Sequence, residues 1–196
     1  MITSIDQLNV DKTYSYADYL TWKFQERIEL LKGKVFRMSP APNVLHQTVV
    51  TQLHGRIYNV LLDRSCKLFT APFDVRLYDT KKSKSNADVF TVVQPDLCVI
   101  CDPNKLDEHG AIAAPELVIE ILSPGNSKKE MKYKYDLYEE AGVEEYWIVD
   151  PVYKTVHVYL LENGKFIGQH PLIEEDRIVS RLFPEMDFEL AGVFEQ

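Results

Sequence analysis

The sequence predicts an α/β (α+β) fold, and three observations carry that expectation. Two short runs, Gln94-Pro-Asp-Leu-Cys-Val-Ile-Cys101 and Pro115-Glu-Leu-Val-Ile-Glu-Ile-Leu-Ser123, are rich in Val, Ile and Leu and bounded by chain breakers, as strands buried on both faces are. Two further segments, 43–63 and the stretch from Ser127 to Ala141, repeat apolar residues at helical spacing. From Glu145 onward, turn signals such as Asp150-Pro151 and Asn163-Gly164 cut the chain into short strands. The 196 residues, 45% hydrophobic, suffice for one sizeable core, and the length makes a single domain over 1–196 the default.

Taken in order, residues 15–25 read as a short helix starting near Ser15, with Tyr16, Tyr19, Leu20 and Phe24 at helical spacing. Arg27 to Leu31 and Lys34 to Met38 then flank a hairpin turn at Lys32-Gly33. Glu29 alternates with Ile28 and Leu30 and so faces away from them, either as a solvated hairpin acid or toward something else. After the Ser39-Pro-Ala-Pro break, Asn43 caps a helix running to about Asp63. Its stripe of Val49, Val50, Leu53, Ile57, Val60 and Leu61 also includes His46, which points inward as a satisfied core histidine, a ligand or a base.

Residues 67–78 give one or two strands, and 80–86 form a basic polar loop. Asp102 to Ala114 connects the two acidic strands. In the helix ending at Ala141, stopped by Gly142, Met131, Tyr135, Leu137, Tyr138 and Ala141 form an apolar arc, and Lys134 falls inside it. Lys134 either snorkels, pairs with Glu130 one turn back, or meets an inward acid. Glu145 to Val149, Thr155 to Leu161, Lys165 to Pro171 and Arg177 to Glu189 read as strands without a chemical constellation.

One inward acid is already at hand. Along its strand Glu120 shares a face with Val118 and Leu122 and is shielded from bulk water. An unpaired carboxylate there costs several kcal/mol or stays protonated, so an ion shared with Asp96 on the neighbouring run is an economical partner. The formal charge of −8 argues against non-specific coating of nucleic acid, but not against a local basic groove. The start lacks the pattern of a signal peptide and no apolar run is long enough to span a bilayer, so a cytoplasmic protein without a membrane partner is expected. Cys66, Cys98 and Cys101 give neither a disulfide framework nor a thiolate metal site. Cys98 and Cys101 point to opposite faces of a strand, and buried spectator cysteines are expected.

Taken together, these residues resemble the PD-(D/E)xK superfamily of restriction-endonuclease-like nucleases, and more narrowly the Uma-type restriction endonucleases of bacteria. The resemblance runs through Ser39-Pro-Ala-Pro with His46, Gln94-Pro-Asp-Leu, Pro115 to Pro124, Lys134 with Tyr138, Gly142-Val-Glu-Glu-Tyr-Trp-Ile-Val-Asp-Pro151 and Phe183-Pro184. It implies a restriction-endonuclease-like mixed central β-sheet flanked by helices, with additional antiparallel strands toward the C-terminus.

It further implies a metal-dependent endonuclease that hydrolyses DNA phosphodiester bonds. Asp96 and Glu120 are its implied metal ligands, completed by the main-chain carbonyl of Ile121, with Mg as the ion and Mn as a substitute. The expected lysine two residues after the acid is Leu122 here, and in similar nucleases the following helix supplies it, which points to Lys134. Glu29 and His46 join as further catalytic candidates. Lys81, Lys82 and Lys84, with Lys128, Lys129 and Lys132, are either the DNA-binding lysines or a solvated surface. DNA is the implied partner, and a homodimer fits enzymes that cut both strands. Two other classes remain open: a catalytically silent nucleic-acid- or protein-binding relative, and a metal phosphoesterase acting on a small substrate.

Overall fold

A computed structural model describes residues 2–38, 43–78, 85–123 and 128–195, with the side chains of 128–130 outside the description. Its strands are β1 (Ile28–Leu31), β2 (Lys34–Arg37), β3 (Lys67–Thr70), β4 (Val75–Leu77), β5 (Thr91–Val93), β6 (Leu97–Ile100), β7 (Leu106–Asp107) and β8 (Gly110–Ala111). They continue with β9 (Leu117–Ile121), β10 (Glu145–Asp150), β11 (Thr155–Glu162), β12 (Lys165–Gly168), β13 (Leu172–Ile173), β14 (Arg177–Val179) and β15 (Asp187–Glu189). The helices are α1 (Tyr16–Tyr19), α2 (Val44–Leu61), α3 (Lys128–Ala141) and α4 (Ala191–Phe194). Among the described residues no helix is long and apolar enough to cross a membrane.

The strands form two mixed sheets and a small hairpin. One sheet has the order β12-β11-β10-β9-β6-β3, with β13 added on β11; β9 and β10 run parallel and the other pairs antiparallel. The other has the order β2-β1-β5-β4-β8-β7, and β14 pairs with β15 alone. Leu97, Val99, Leu117, Ile119, Trp147 and Val149 line one face of the first sheet and pack on α2 and α4. On its opposite face, Cys98, Val118, Tyr146 and Ile148 meet α3 and the inner face of the second sheet. Burying one such aliphatic side chain stabilises the fold by roughly 2 kcal/mol. Alternation therefore sends successive residues of β9 to different layers, and Glu120 to the side of α3.

The mixed sheet flanked by helices stands as the sequence predicts, and so do both hairpin turns, which need left-handed backbone. Lys32 and Gly33 have φ of 50° and 77°, and Asn163 and Gly164 have 52° and 77°. Four details differ. The helix over 15–25 stops at Tyr19, because Thr21 turns back onto the Asp18 carbonyl through both its N–H and its hydroxyl. The 102–114 connection carries the β7–β8 hairpin. Arg177 to Glu189 folds as two short strands before α4, a helix too short to leave a periodicity. Finally, Cys66 and Cys101 are disulfide-bonded rather than spectators, while Cys98 is buried and free. The pairing Lys67↔Ile100 places residue 66 opposite residue 101, a register that cysteine spacing along the chain cannot reveal.

Candidate active site

β6 and β9 pair as Leu97↔Ile119 and Cys98↔Val118, so the next step sets Asp96 directly opposite Glu120 on the same face. The step after that would pair Ile121 with Pro95, which has no N–H and ends the ladder. Asp96 fills the gap: its Oδ2 accepts the Ile121 N–H at 2.8 Å. The same oxygen lies 3.3 Å from Nε2 of His46, in the first turn of α2. Asn43 caps that turn by accepting the His46 N–H at 2.9 Å. His46 is buried, and its Nδ1 has no hydrogen-bond partner among the described residues. An orphaned buried nitrogen is what a satisfied core histidine lacks, so that expectation is corrected.

α3 supplies the other side. Lys134 Nζ and the Tyr138 hydroxyl, one turn apart, both donate to Glu120 Oε1, at 3.0 and 2.7 Å. Lys134 also lies 3.0 Å from Oε1 of Glu29, which in turn accepts the Gln94 N–H at 2.8 Å. The lysine thus ties an acid of each sheet to one helix. Snorkelling does not describe it, because its side chain is 7% exposed, and the side chain of Glu130 lies outside the described residues. Nor is Glu29 a solvated hairpin acid: its side chain is 1% exposed, since both faces of β1 are covered. Glu120 and Asp96, with side chains 12% and 21% exposed, are the acids that reach solvent.

The Glu120 carboxyl is pushed up to about 7, chiefly by burial; Lys134 and the Tyr138 hydroxyl oppose the rise, and Asp96 and Glu29 add to it. Burial opposes the charge on Lys134, but Glu120 and Glu29 outweigh it and hold the ammonium well above its ordinary value. Tyr138 is likewise held well above the usual phenol range, first by burial and then by Glu120. The contrast with Glu145 is informative. That fully buried acid accepts the Trp147 indole at 2.7 Å, the Ser180 hydroxyl at 2.9 Å and the Leu182 N–H at 3.1 Å. Neutral donors satisfy it, whereas Glu29, Glu120 and Asp96 share Lys134 and a histidine and leave the cluster short of positive charge.

A measurable pH dependence follows. A carboxyl with a raised folded pKa holds its proton more tightly folded than unfolded, so that stabilisation is complete below its ordinary value of 4.5 and is lost as the pH rises through about 7. The ion-free protein should therefore lose up to ~3 kcal/mol from this group between about pH 4.5 and pH 8. Thermal unfolding across that range should show the slope in the wild type and a flatter profile in Glu120→Gln. Parallel profiles in the two proteins would contradict it.

Of the expected DNA-binding lysines, Lys132 is exposed on α3. Lys128 and Lys129 lie in the first turn of α3 with side chains outside the described residues, as are Lys81, Lys82 and Lys84 altogether. Two members of the cluster had no role in the sequence reading. The sequence places Tyr138 in the apolar arc and, beside Lys134, in the family pattern without a chemical role; its spacing from Lys134 is the signal for one. Gln94 precedes the acid; besides its N–H to Glu29, its side chain donates to Asp74 Oδ1 at 2.8 Å and accepts from Arg27.

A metal could be held here by a small donor set. Asp96 Oδ1 and Glu120 Oε2 accept no hydrogen bond from a described residue, and the register turns both acids to one face. Among the described residues no group of three or more His, Cys, Asp and Glu side chains is disposed around a common point. Two carboxylates suit Mg²⁺, which keeps several of its waters, better than a closed cage would.

The chain is similar to the uncharacterized protein slr1290 of Synechocystis sp. (strain ATCC 27184 / PCC 6803 / Kazusa), at 24% identity over 148 residues, covering 74% of this chain and 73% of the relative. In fold it matches the crystal structure described as "a putative nuclease belonging to DUF820" from Anabaena variabilis ATCC 29413. That match has a TM-score of 0.70 at 20% identity, over 92% of this chain and 97% of the other. The profile of the Uma2 family, described as "Putative restriction endonuclease", matches residues 16–191. The chain belongs to the Uma2 family.

Proposed function

We propose that the chain is a single restriction-endonuclease-like domain that hydrolyses DNA phosphodiester bonds with Mg²⁺, or Mn²⁺ in its place. The observation that carries this reading is the contact of Lys134 with Glu120 at 3.0 Å. It brings a lysine from α3 to the acid whose own strand has Leu122 where that lysine is expected. The donor set fits a divalent cation: Asp96 and Glu120 would hold it, with the Ile121 carbonyl completing the site. Such a cation supplies Lewis-acid polarisation of a phosphoryl oxygen.

The chain's own groups account for the rest. Lys134, fixed between two carboxylates and kept protonated, offers a preorganised positive charge to the extra negative charge that develops on a phosphoryl group. Tyr138 fixes the orientation of Glu120, and Glu29 anchors Lys134 from the second sheet. His46 positions Asp96, and its unpartnered Nδ1 leaves a donor or acceptor for a ligand or phosphate. Lys128, Lys129 and Lys132 on α3, with Lys81, Lys82 and Lys84, would meet the DNA backbone. Two copies in a homodimer would serve the two strands of a duplex.

Incubation with double-stranded DNA, single-stranded DNA, RNA and a generic phosphodiester, each with Mg²⁺, Mn²⁺ or chelator, tests this reading. DNA should be cut only with a divalent ion and the generic ester left intact. Cleavage of the small ester alone would make the chain a phosphoesterase, and DNA binding without cleavage a silent relative. Charge reversal at Lys128 and Lys129 should weaken DNA binding for all sequences and flatten its salt dependence, with Mn²⁺ affinity unchanged. A wild-type salt slope in that variant would place the DNA elsewhere.

A further inference from the structure

α3 lies along β1 and is pinned to the first hairpin at two points. Lys134 meets Glu29 at 3.0 Å, and beyond the end of β1 Lys32 meets Glu140 at 2.8 Å. Beside this line a cavity of about 310 Å³ opens between the hairpin and the helix. The buried Leu31 and Leu137 face it, with the rings of Phe36 and Tyr133 and the carboxylate of Asp136, while the exposed Lys32 and Lys34 stand at its mouth. The cavity adjoins the acid cluster by two independent counts. Phe36 pairs directly with Glu29 across the hairpin, and Tyr133 is the neighbour of Lys134 on α3.

The lining has a specific chemistry. Phe36 and Tyr133 are packed edge-to-face, with ring centres 5.9 Å apart and planes at 79°, so a flat group entering the cavity meets one ring by its face and the other by its edge. Asp136 takes no hydrogen bond from a described residue and presents an acceptor to whatever enters. Lys34 is already tied to the carbonyls of Val10, Asp11 and Lys12. Among the described residues the Lys32 ammonium is held by one exposed pair, which exchanges readily for a phosphate. Aromatic faces, one carboxylate acceptor and a cation at the mouth match a nucleobase attached to its phosphate.

We propose that this cavity receives an unpaired nucleobase of the nucleic-acid substrate, stacked on one ring of the Tyr133–Phe36 pair and set against the edge of the other, with its exocyclic amino group donating to Asp136. The proposal rests on the nuclease reading above. The carboxylate selects bases that carry an amino group in that position, cytosine and adenine, over thymine, which presents a carbonyl there.

The test is binding by the intact wild-type chain, in chelator so that nothing is cut, of fluorescent single-stranded oligo-dC and oligo-dT. Oligo-dC should bind about 10-fold more tightly than oligo-dT. Tyr133→Leu should weaken both oligonucleotides about 10-fold. Phe36→Leu should do the same, and keeps a hydrophobic side chain on the hairpin should the first variant be unstable. Asp136→Ala should abolish the preference for oligo-dC. Equal binding of the two oligonucleotides by the wild type, or wild-type affinities in both ring variants, overturns the proposal. The two readings fail separately. A wild type that cuts nothing with any divalent ion, yet binds in a ring-dependent way, overturns the nuclease and leaves the cavity. Cleavage that needs Lys134 while the ring variants bind normally does the reverse.

Discussion

Asp96→Asn and Glu120→Gln should each abolish divalent-ion binding and DNA cleavage while the chain stays folded. Both substitutions keep the shape and the acceptor oxygen that the surrounding donors use. The amide carbonyl introduced at position 96 can still accept the Ile121 N–H, and the one introduced at position 120 can still accept from Lys134 and Tyr138. What is lost is one negative charge from a cluster in which three carboxylates share one buried lysine and a histidine. Removing it takes away repulsion at no cost in packing, so the ion-free variants should be as stable as the wild type or more so above about pH 7. A divalent cation, by contrast, loses half of its charged ligands. Calorimetric titration with Mn²⁺ checks the first half and thermal unfolding the second; wild-type Mn²⁺ affinity in both variants would contradict the assignment.

The second large effect belongs to Lys134→Met, which preserves the stem within the arc of Met131, Tyr135 and Tyr138 and deletes the charge. DNA turnover should fall by orders of magnitude, because a fixed charge acting on the transition state has gone. The structure adds a cost. Glu29 and Glu120 lose the cation they share, and Glu29 is left buried with the Gln94 N–H as its donor. Stripping one partner from a buried ion pair costs about 3–5 kcal/mol, so the variant should be clearly less stable at pH 8 and recover as the pH falls and the Glu120 carboxyl takes up its proton. Adding Glu29→Gln should return most of the stability and none of the turnover. That separation distinguishes a transition-state charge from a structural one. A double variant that regained both would assign Lys134 to folding alone.

How far the sequence carried this site depended on what each residue's neighbours could report. Glu120 was legible because a lone acid between Val118 and Leu122 breaks an apolar run. Lys134 was legible because the helical wheel placed a charge inside an apolar arc. Glu29 was not, because alternation says only that it opposes Ile28 and Leu30, and a strand buried on both faces gives no sign of which side is solvent. His46 fell on the inward stripe, but its partner Asp96 is 50 positions away on another element, beyond what periodicity can connect. The same limit hid the Cys66–Cys101 bond and the division of the strands into two sheets, since both are matters of register between distant segments. Turns were the converse case: Lys32-Gly33 and Asn163-Gly164 declare themselves because few residues tolerate positive φ.

The central claim is that α3 supplies to Glu120 the lysine that its own strand lacks. Single-turnover cleavage of one DNA duplex in Mg²⁺ by three proteins tests it most directly: the wild type, Lys134→Met, and Lys134→Met combined with Leu122→Lys. Leu122 shares a face with Glu120, so a lysine there approaches the same carboxylate from the strand. The rate should collapse in the single variant and return in substantial part in the double variant, with DNA binding alike in all three; cleavage by Lys134→Met at the wild-type rate would contradict the claim.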